Sequence, residues 1–183
     1  MAEVTTENQA QNQTTEHNTI IENLIGKINS NDFKIYYYCP PMNIPSGGIG
    51  VIFKQAKILQ DAGYNVSIIY EPRQDAKASY QESQKKAKKI EIFERFKPDW
   101  IGKDAEGIKL QPLGNSELRF NDGTTEKVEI LSVNPEDFVI IPEGFPNVME
   151  RFAQIPCKKI VFAQSWYYIL NAMSVGQPWK NWG

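Results

Sequence analysis

The spacing of apolar residues changes period along the chain, and each change marks an element. Lys34 to Cys39 is a short β-branched and aromatic run that stops at Pro40-Pro41, the pattern of a strand. Further on, Ile49, Ile52, Phe53, Ala56, Leu59 and Ala62 recur at three- and four-residue steps, the spacing of one helix face. Ser46-Gly47-Gly48 opens that helix, and Gly63 stands where a C-terminal capping glycine belongs. Asn65 to Tyr70 is a second strand-like run. Strand, crossover helix and strand make a right-handed parallel unit, the opening of a Rossmann-like domain.

The remaining pattern extends that unit. Gln74 to Phe96 predicts a helix with a basic middle (Lys85, Lys86, Lys88, Lys89) and an apolar end at Ile90, Phe93 and Phe96. Lys97-Pro98-Asp99 breaks it. Gly107 to Ser132 reads as a β-hairpin insertion: Leu118 and Phe120 alternate before the turn Asn121-Asp122-Gly123, and Val128 and Ile130 alternate after it. Phe138 to Ile141 and Lys159 to Ala163 predict two more buried strands, with a helix from Pro146 to Gln154 between them. The predicted class is therefore α/β, a Rossmann-like parallel sheet flanked by helices with a hairpin insertion, over residues 32–170. Ahead of it, Ile20, Ile21, Leu24, Ile25 and Ile28 predict an amphipathic helix over 19–31, covering part of the domain or self-associating. Residues 1–18 carry almost no apolar content and are expected to be a disordered tail, and 171–183 are an unfinished tail.

Composition narrows the function. The 183 residues suffice for one ordinary domain, with 41 % hydrophobic and 23 % charged residues. A net charge of −2 argues against nucleic acid as the main partner, because phosphate backbones are bound by basic faces. Cys39 and Cys157 lie far apart, and His17, the single histidine, sits in the polar tail, so neither a disulfide framework nor a metal site is expected. With no membrane-length apolar run and no signal peptide, the expectation is a cytoplasmic protein. The lysine cluster is read first as a solvated face; the sharper reading is peripheral contact with anionic lipid at the inner face of the membrane.

Candidate chemistry gathers where open α/β sheets bind ligands, beyond the carboxyl ends of the strands. The loop Pro45 to Gly50, Glu143-Gly144 and Gln164 to Tyr168 all fall there. Ser46, Gly47, Gly48 and Ile49 offer backbone N–H groups at a helix start, a site for phosphate; the plainer reading is a turn that packs helix on sheet. Glycine is absent where the dinucleotide fingerprint requires it after Gly48 and Gly50, at Phe53, and no G-K-[ST] ending makes a P-loop. Glu143 is a candidate general base or hydroxyl acceptor, or else a helix-capping or lysine-pairing carboxylate. Trp166, Tyr167 and Tyr168 supply aromatic faces to the core or to the crevice.

IPSGGIGVIFKQAKILQDAGYNVSIIYEP resembles the first βαβ unit of GT-B glycosyltransferases, particularly bacterial rhamnosyltransferase-like members of glycosyl transferases group 1. DFVIIPEGFPNVMERF and KKIVFAQSWYYIL are similar to two later strands of that family, so the resemblance runs from about Asp32 to Leu170. It implies the N-terminal, acceptor-side half of an enzyme that moves a sugar from a nucleotide sugar to a glycan or lipid-linked acceptor. No cofactor and no metal are implied beyond the nucleotide-diphosphate sugar as co-substrate. On this resemblance Ser46, Gly47, Gly48 and Ile49 face the donor diphosphate, while Glu143, Gln164, Ser165, Trp166 and Tyr167 line the acceptor side, Glu143 also as the catalytic candidate. Gln164 stands in a segment where many relatives carry a histidine.

The family also has a C-terminal donor-binding domain, expected here in cis or in trans, without which the chain is expected to be inactive. Two other readings remain at this stage. One is a non-catalytic Rossmann-like module that binds a glycan or a protein. The other is a nicotinamide oxidoreductase, disfavoured by the glycine spacing and by having only Glu71 as an acidic residue after the second strand.

Overall fold

A computed structural model describes residues 32–114 and 117–165. The predicted tail, the amphipathic helix over 19–31, Trp166 to Tyr168 and the segment 171–183 lie outside the described residues. In chain order the elements are β1 (Ile35–Tyr38), α1 (Gly47–Asp61), β2 (Val66–Tyr70), α2 (Ala76–Lys86) and a 3-10 segment (Asp99–Ala105). Then follow β3 (Lys109–Pro112), β4 (Glu117–Arg119), β5 (Thr125–Lys127), β6 (Phe138–Pro142), α3 (Pro146–Ala153) and β7 (Lys158–Phe162).

Five strands form one parallel sheet in the order β3-β2-β1-β6-β7, and β4 and β5 pair separately as an antiparallel hairpin. This is the Rossmann-like α/β fold. Its central strand shows why the sequence folds this way. Ile35, Tyr37 and Cys39 pack toward Ile49, Ile52, Phe53 and Ala56 of α1. Tyr36 and Tyr38 turn to the opposite face, against Val148, Met149 and Phe152 of α3. Both faces of β1 are covered, so every one of its residues is buried and a continuous apolar run replaces alternation.

The ends of α1 follow local rules. Gly63 has φ +90, a left-handed conformation that favours glycine. At the other end Ser46 occupies the N-cap in an extended conformation, without a capping bond from its side chain.

Three expectations need correction. The helix predicted over Gln74–Phe96 ends at Lys86, where Ala87 turns left-handed with φ 50. The chain then runs back along the helix, because Ser79 Oγ bonds both the N–H and the carbonyl of Ile92 and Ser83 Oγ accepts from the Ile90 N–H. Phe93 therefore bridges to Gln74 and Phe120 instead of extending a helical stripe. Second, the start of the expected insertion is a sheet strand: β3 pairs with β2 from Ser67↔Lys109 to Tyr70↔Pro112. Its sequence KLQP is too short and too polar to carry a strand signal. Third, β7 is only partly buried, since among the described residues it has one strand neighbour, β6.

Candidate functional site

The strand order places the site. The chain steps from β1 outward to β2 and β3, then returns to β6 and β7 on the other side of β1. The carboxyl ends of β1 and β6 are the point where the order reverses, and there the flanking connections diverge and leave a crevice. A cavity of about 370 Å³ occupies it. Pro40 and Met42 after β1, Ser46, Gly48, Ile49 and Ile52 at the start of α1, Pro142 at the end of β6 with Glu143 to Phe145 after it, and Gln164 after β7 form its wall.

One wall is the open end of α1. The first hydrogen bond of the helix runs from Gly50 N–H to Ser46 carbonyl at 3.0 Å. The N–H groups of Gly47, Gly48 and Ile49 precede it, and the Ser46 hydroxyl does not cap them. A fifteen-residue helix directs its positive end here. The opposite wall carries Glu143, which is only 2 % exposed. Its Oε1 accepts the backbone N–H groups of Gln164 at 2.8 Å and Ser165 at 2.7 Å. Its Oε2 is buried and has no hydrogen-bond partner among the described residues. A carboxylate oxygen in that position asks for a donor.

Gln164 connects the two walls. Its Nε2 donates to the Gly48 carbonyl at 3.0 Å, and a Cβ placed on Gly48 would come within 2.5 Å of its Oε1. Gly47 and Gly50 have nothing within 4 Å of a would-be Cβ. Of these glycines, then, Gly48 is the one whose missing side chain is used by a neighbour.

The cavity thus brings together Ser46, Gly48, Ile49, Glu143 and Gln164 among the residues expected from sequence. Ser165 reaches it through its N–H on Glu143, while Gly47 adds its N–H from the helix start without lining the cavity. Trp166 and Tyr167 lie outside the described residues. The apolar part of the wall, Met42 and Phe145, was not anticipated. Phe145 packs on Tyr38 at 5.5 Å between ring centroids. Its one sequence signal was its place directly after the Glu143-Gly144 loop.

Cys39, next to the Pro40 of the wall, is fully buried, and desolvation pushes its thiol up to about 12, so it is no nucleophile near neutral pH. No cluster of three or more potential metal ligands gathers among the described residues. Of the lysine cluster, Lys85 and Lys86 both pair with Glu82, and Lys89 pairs with Glu91; none lines the cavity. No helix among the described residues is long and apolar enough to cross a membrane.

Fold and site together define a Rossmann-like parallel α/β domain with a polar crevice at the switch point of its sheet. Compared with family models, with curated proteins and with solved structures, the chain finds no match.

Proposed function

We propose that this chain is the acceptor-side domain of a GT-B glycosyltransferase, acting with a donor-binding domain supplied in cis or in trans. The observation that carries the reading is the pairing, around one cavity, of an uncapped helix start with Glu143, whose buried Oε2 has no donor among the described residues. A ligand that suits both walls has acceptor oxygens at one end and hydroxyl donors at the other. A nucleotide sugar meeting a hydroxylated acceptor has that make-up. The diphosphate takes the N–H groups at Gly47, Gly48 and Ile49, and the acceptor hydroxyl donates to Glu143 Oε2.

In the transfer step the acceptor oxygen forms a bond to the anomeric carbon, and the bond from that carbon to the diphosphate breaks. Glu143 takes the hydroxyl proton, and the nucleoside diphosphate leaves with the bonding electron pair. The helix start stabilises the charge that develops on the departing phosphate. The likeness of the sequence motifs to this family supports the assignment of substrate class. Contact of the lysine cluster with an anionic membrane surface is part of the same proposal where the acceptor is lipid-linked.

The test is Glu143→Gln in the chain together with its donor domain. The variant keeps an acceptor for the Gln164 and Ser165 N–H groups but loses the base. Turnover of nucleotide sugar is expected to fall by about 10²–10⁴-fold with KM for the donor nearly unchanged. Unaltered kcat overturns the catalytic assignment. Lost acceptor-glycan binding, in an assembly where the wild type also turns over no donor, makes the domain a non-catalytic glycan-binding module instead.

A further inference from the structure

Gly48 and Gln164 are 116 residues apart in sequence and in direct contact in the fold. We infer that Gln164 is a specificity-determining donor of the anion-binding wall, and that Gly48 is glycine in order to seat it. This rests on the proposal that a phosphate-bearing ligand occupies the start of α1.

The carboxamide rests against the first turn of α1, with Nε2 bonded to the Gly48 carbonyl at 3.0 Å. That bond fixes which way the amide points, because the flipped arrangement sets two carbonyl oxygens against each other. An amide nitrogen carries two hydrogens, and the Gly48 carbonyl uses one. The second is left to a ligand in the cavity that Gln164 lines, beside the N–H groups that open the helix.

The backbone of Gln164 is held independently. Its N–H and that of Ser165 both end on Glu143 Oε1, and Glu143 is itself buried. The Oε2 of the same carboxylate, buried and without a partner among the described residues, is the second sign that the cavity takes a ligand, one that presents hydroxyl donors as well as phosphate. Gly48 completes the seat: a Cβ there would stand 2.5 Å from Gln164 Oε1, so an alanine displaces the carboxamide from its present position. The backbone of α1 does not itself demand glycine, since position 48 lies within the helix and shows no positive φ.

Calorimetric titration of inorganic pyrophosphate into the full chain tests this, with Gln164→Glu, Gln164→Ala, Gly48→Ala and the double variant Gly48→Ala/Gln164→Ala. Gln164→Glu keeps shape and replaces the donor by an anion, and affinity is expected to drop about tenfold or more. Gln164→Ala and Gly48→Ala should each weaken binding by a similar, smaller factor. The double variant should bind no more weakly than Gln164→Ala alone, because both changes remove one group. Thermal unfolding of each variant verifies the fold; the exposed side chain at 164 makes Gln164→Glu the safe one.

Wild-type affinity retained in folded Gln164→Glu overturns the role of Gln164 and leaves the anion site standing. Additive losses in the double variant also overturn the inference, by showing that the ligand itself needs the bare backbone of Gly48. If the wild type binds no pyrophosphate, the anion reading of the crevice falls and this inference with it.

Discussion

Asp137 is the side chain on which the sheet's alignment depends. It is 1 % exposed, and its two oxygens accept the backbone N–H groups of Lys34 at 2.7 Å and Asn134 at 2.8 Å. Its own carbonyl accepts from Lys158 N–H at 2.9 Å. One residue thereby ties the entries of β1, β6 and β7, and the opposite ends of β1 and β6 are the walls of the crevice. Asp137→Ala removes the acceptor of two part-buried donors and is expected to cost about 1–3 kcal/mol, read as a shifted urea midpoint at unchanged m-value. A midpoint within error of wild type refutes this role. Nothing in the stretch Asn134-Pro135-Glu136-Asp137 announced it; the partners lie across the fold, and the same tetrapeptide serves equally as a loop. Glu143 was legible as a candidate because it follows a buried strand directly, whereas its division into one satisfied and one unsatisfied oxygen is a property of packing alone.

At the scale of elements, the hairpin is joined to the segment after α2 by backbone bonds of Phe93 with Arg119 and Asn121 and by the guanidinium of Arg95. Arg95 lies 3.8 Å above the Phe120 ring and bonds Asp122 at 2.9 Å, Glu126 at 3.1 Å and the Thr124 hydroxyl at 2.7 Å. A lysine lacks the planar fork to reach all of these, so Arg95→Lys should raise amide hydrogen exchange across residues 117–127 while leaving β1 and β6 protected. Acid should act at the same place. The side-chain and backbone bonds from Thr124, followed by Arg95, hold the Asp122 carboxyl down at about 2. A depressed carboxylate contributes fully above its unfolded value of about 4 and is lost as pH falls toward the folded one. Protection of the hairpin amides, taken relative to their intrinsic exchange rates, is therefore expected to be level above about pH 4 and to fall between there and pH 2; level protection to pH 2 sinks the assignment. The elements that could be read from sequence were those whose apolar period is long or unbroken: β1, α1, β2, β6, α3 and the turn at Asn121-Asp122-Gly123. The edge strand β3 and the return after Ala87 were hidden for one reason. Their conformation is set by backbone pairing to β2 and by serine bonds from α2, neither of which needs an apolar pattern in the segment itself.

For the whole molecule, the same burial that builds the core sets its alkaline limit. Tyr36, Tyr37, Tyr38, Cys39 and Tyr70 are all buried around the central strands. Desolvation raises the pKa of all five, Cys39 and Tyr70 to about 12. An acid whose folded value is raised contributes fully below its unfolded value. Between the two values the unfolded chain releases a proton that the folded chain keeps, and stability falls as pH rises. The window opens at the unfolded thiol value near 9 and closes near 12. Each unit of difference is worth about 1.4 kcal/mol, so Cys39 and Tyr70 together withdraw on the order of 7 kcal/mol across the window. That is comparable to the entire stability of an ordinary domain. Urea melts at pH 7.5, 9, 10 and 11 should therefore show a level ΔG to about pH 9 and a steep decline above it, with global unfolding before pH 12. Cys39→Ala removes the earliest group, so its decline should begin nearer pH 10, where tyrosines of the unfolded chain ionise. Parallel curves for wild type and Cys39→Ala would show that the thiol is not what the folded core keeps protonated. The crevice depends on the same strands, because β1 carries three of these groups and its end forms one wall. Ligand binding should then vanish together with global unfolding in alkali, not ahead of it as a titrating surface site would.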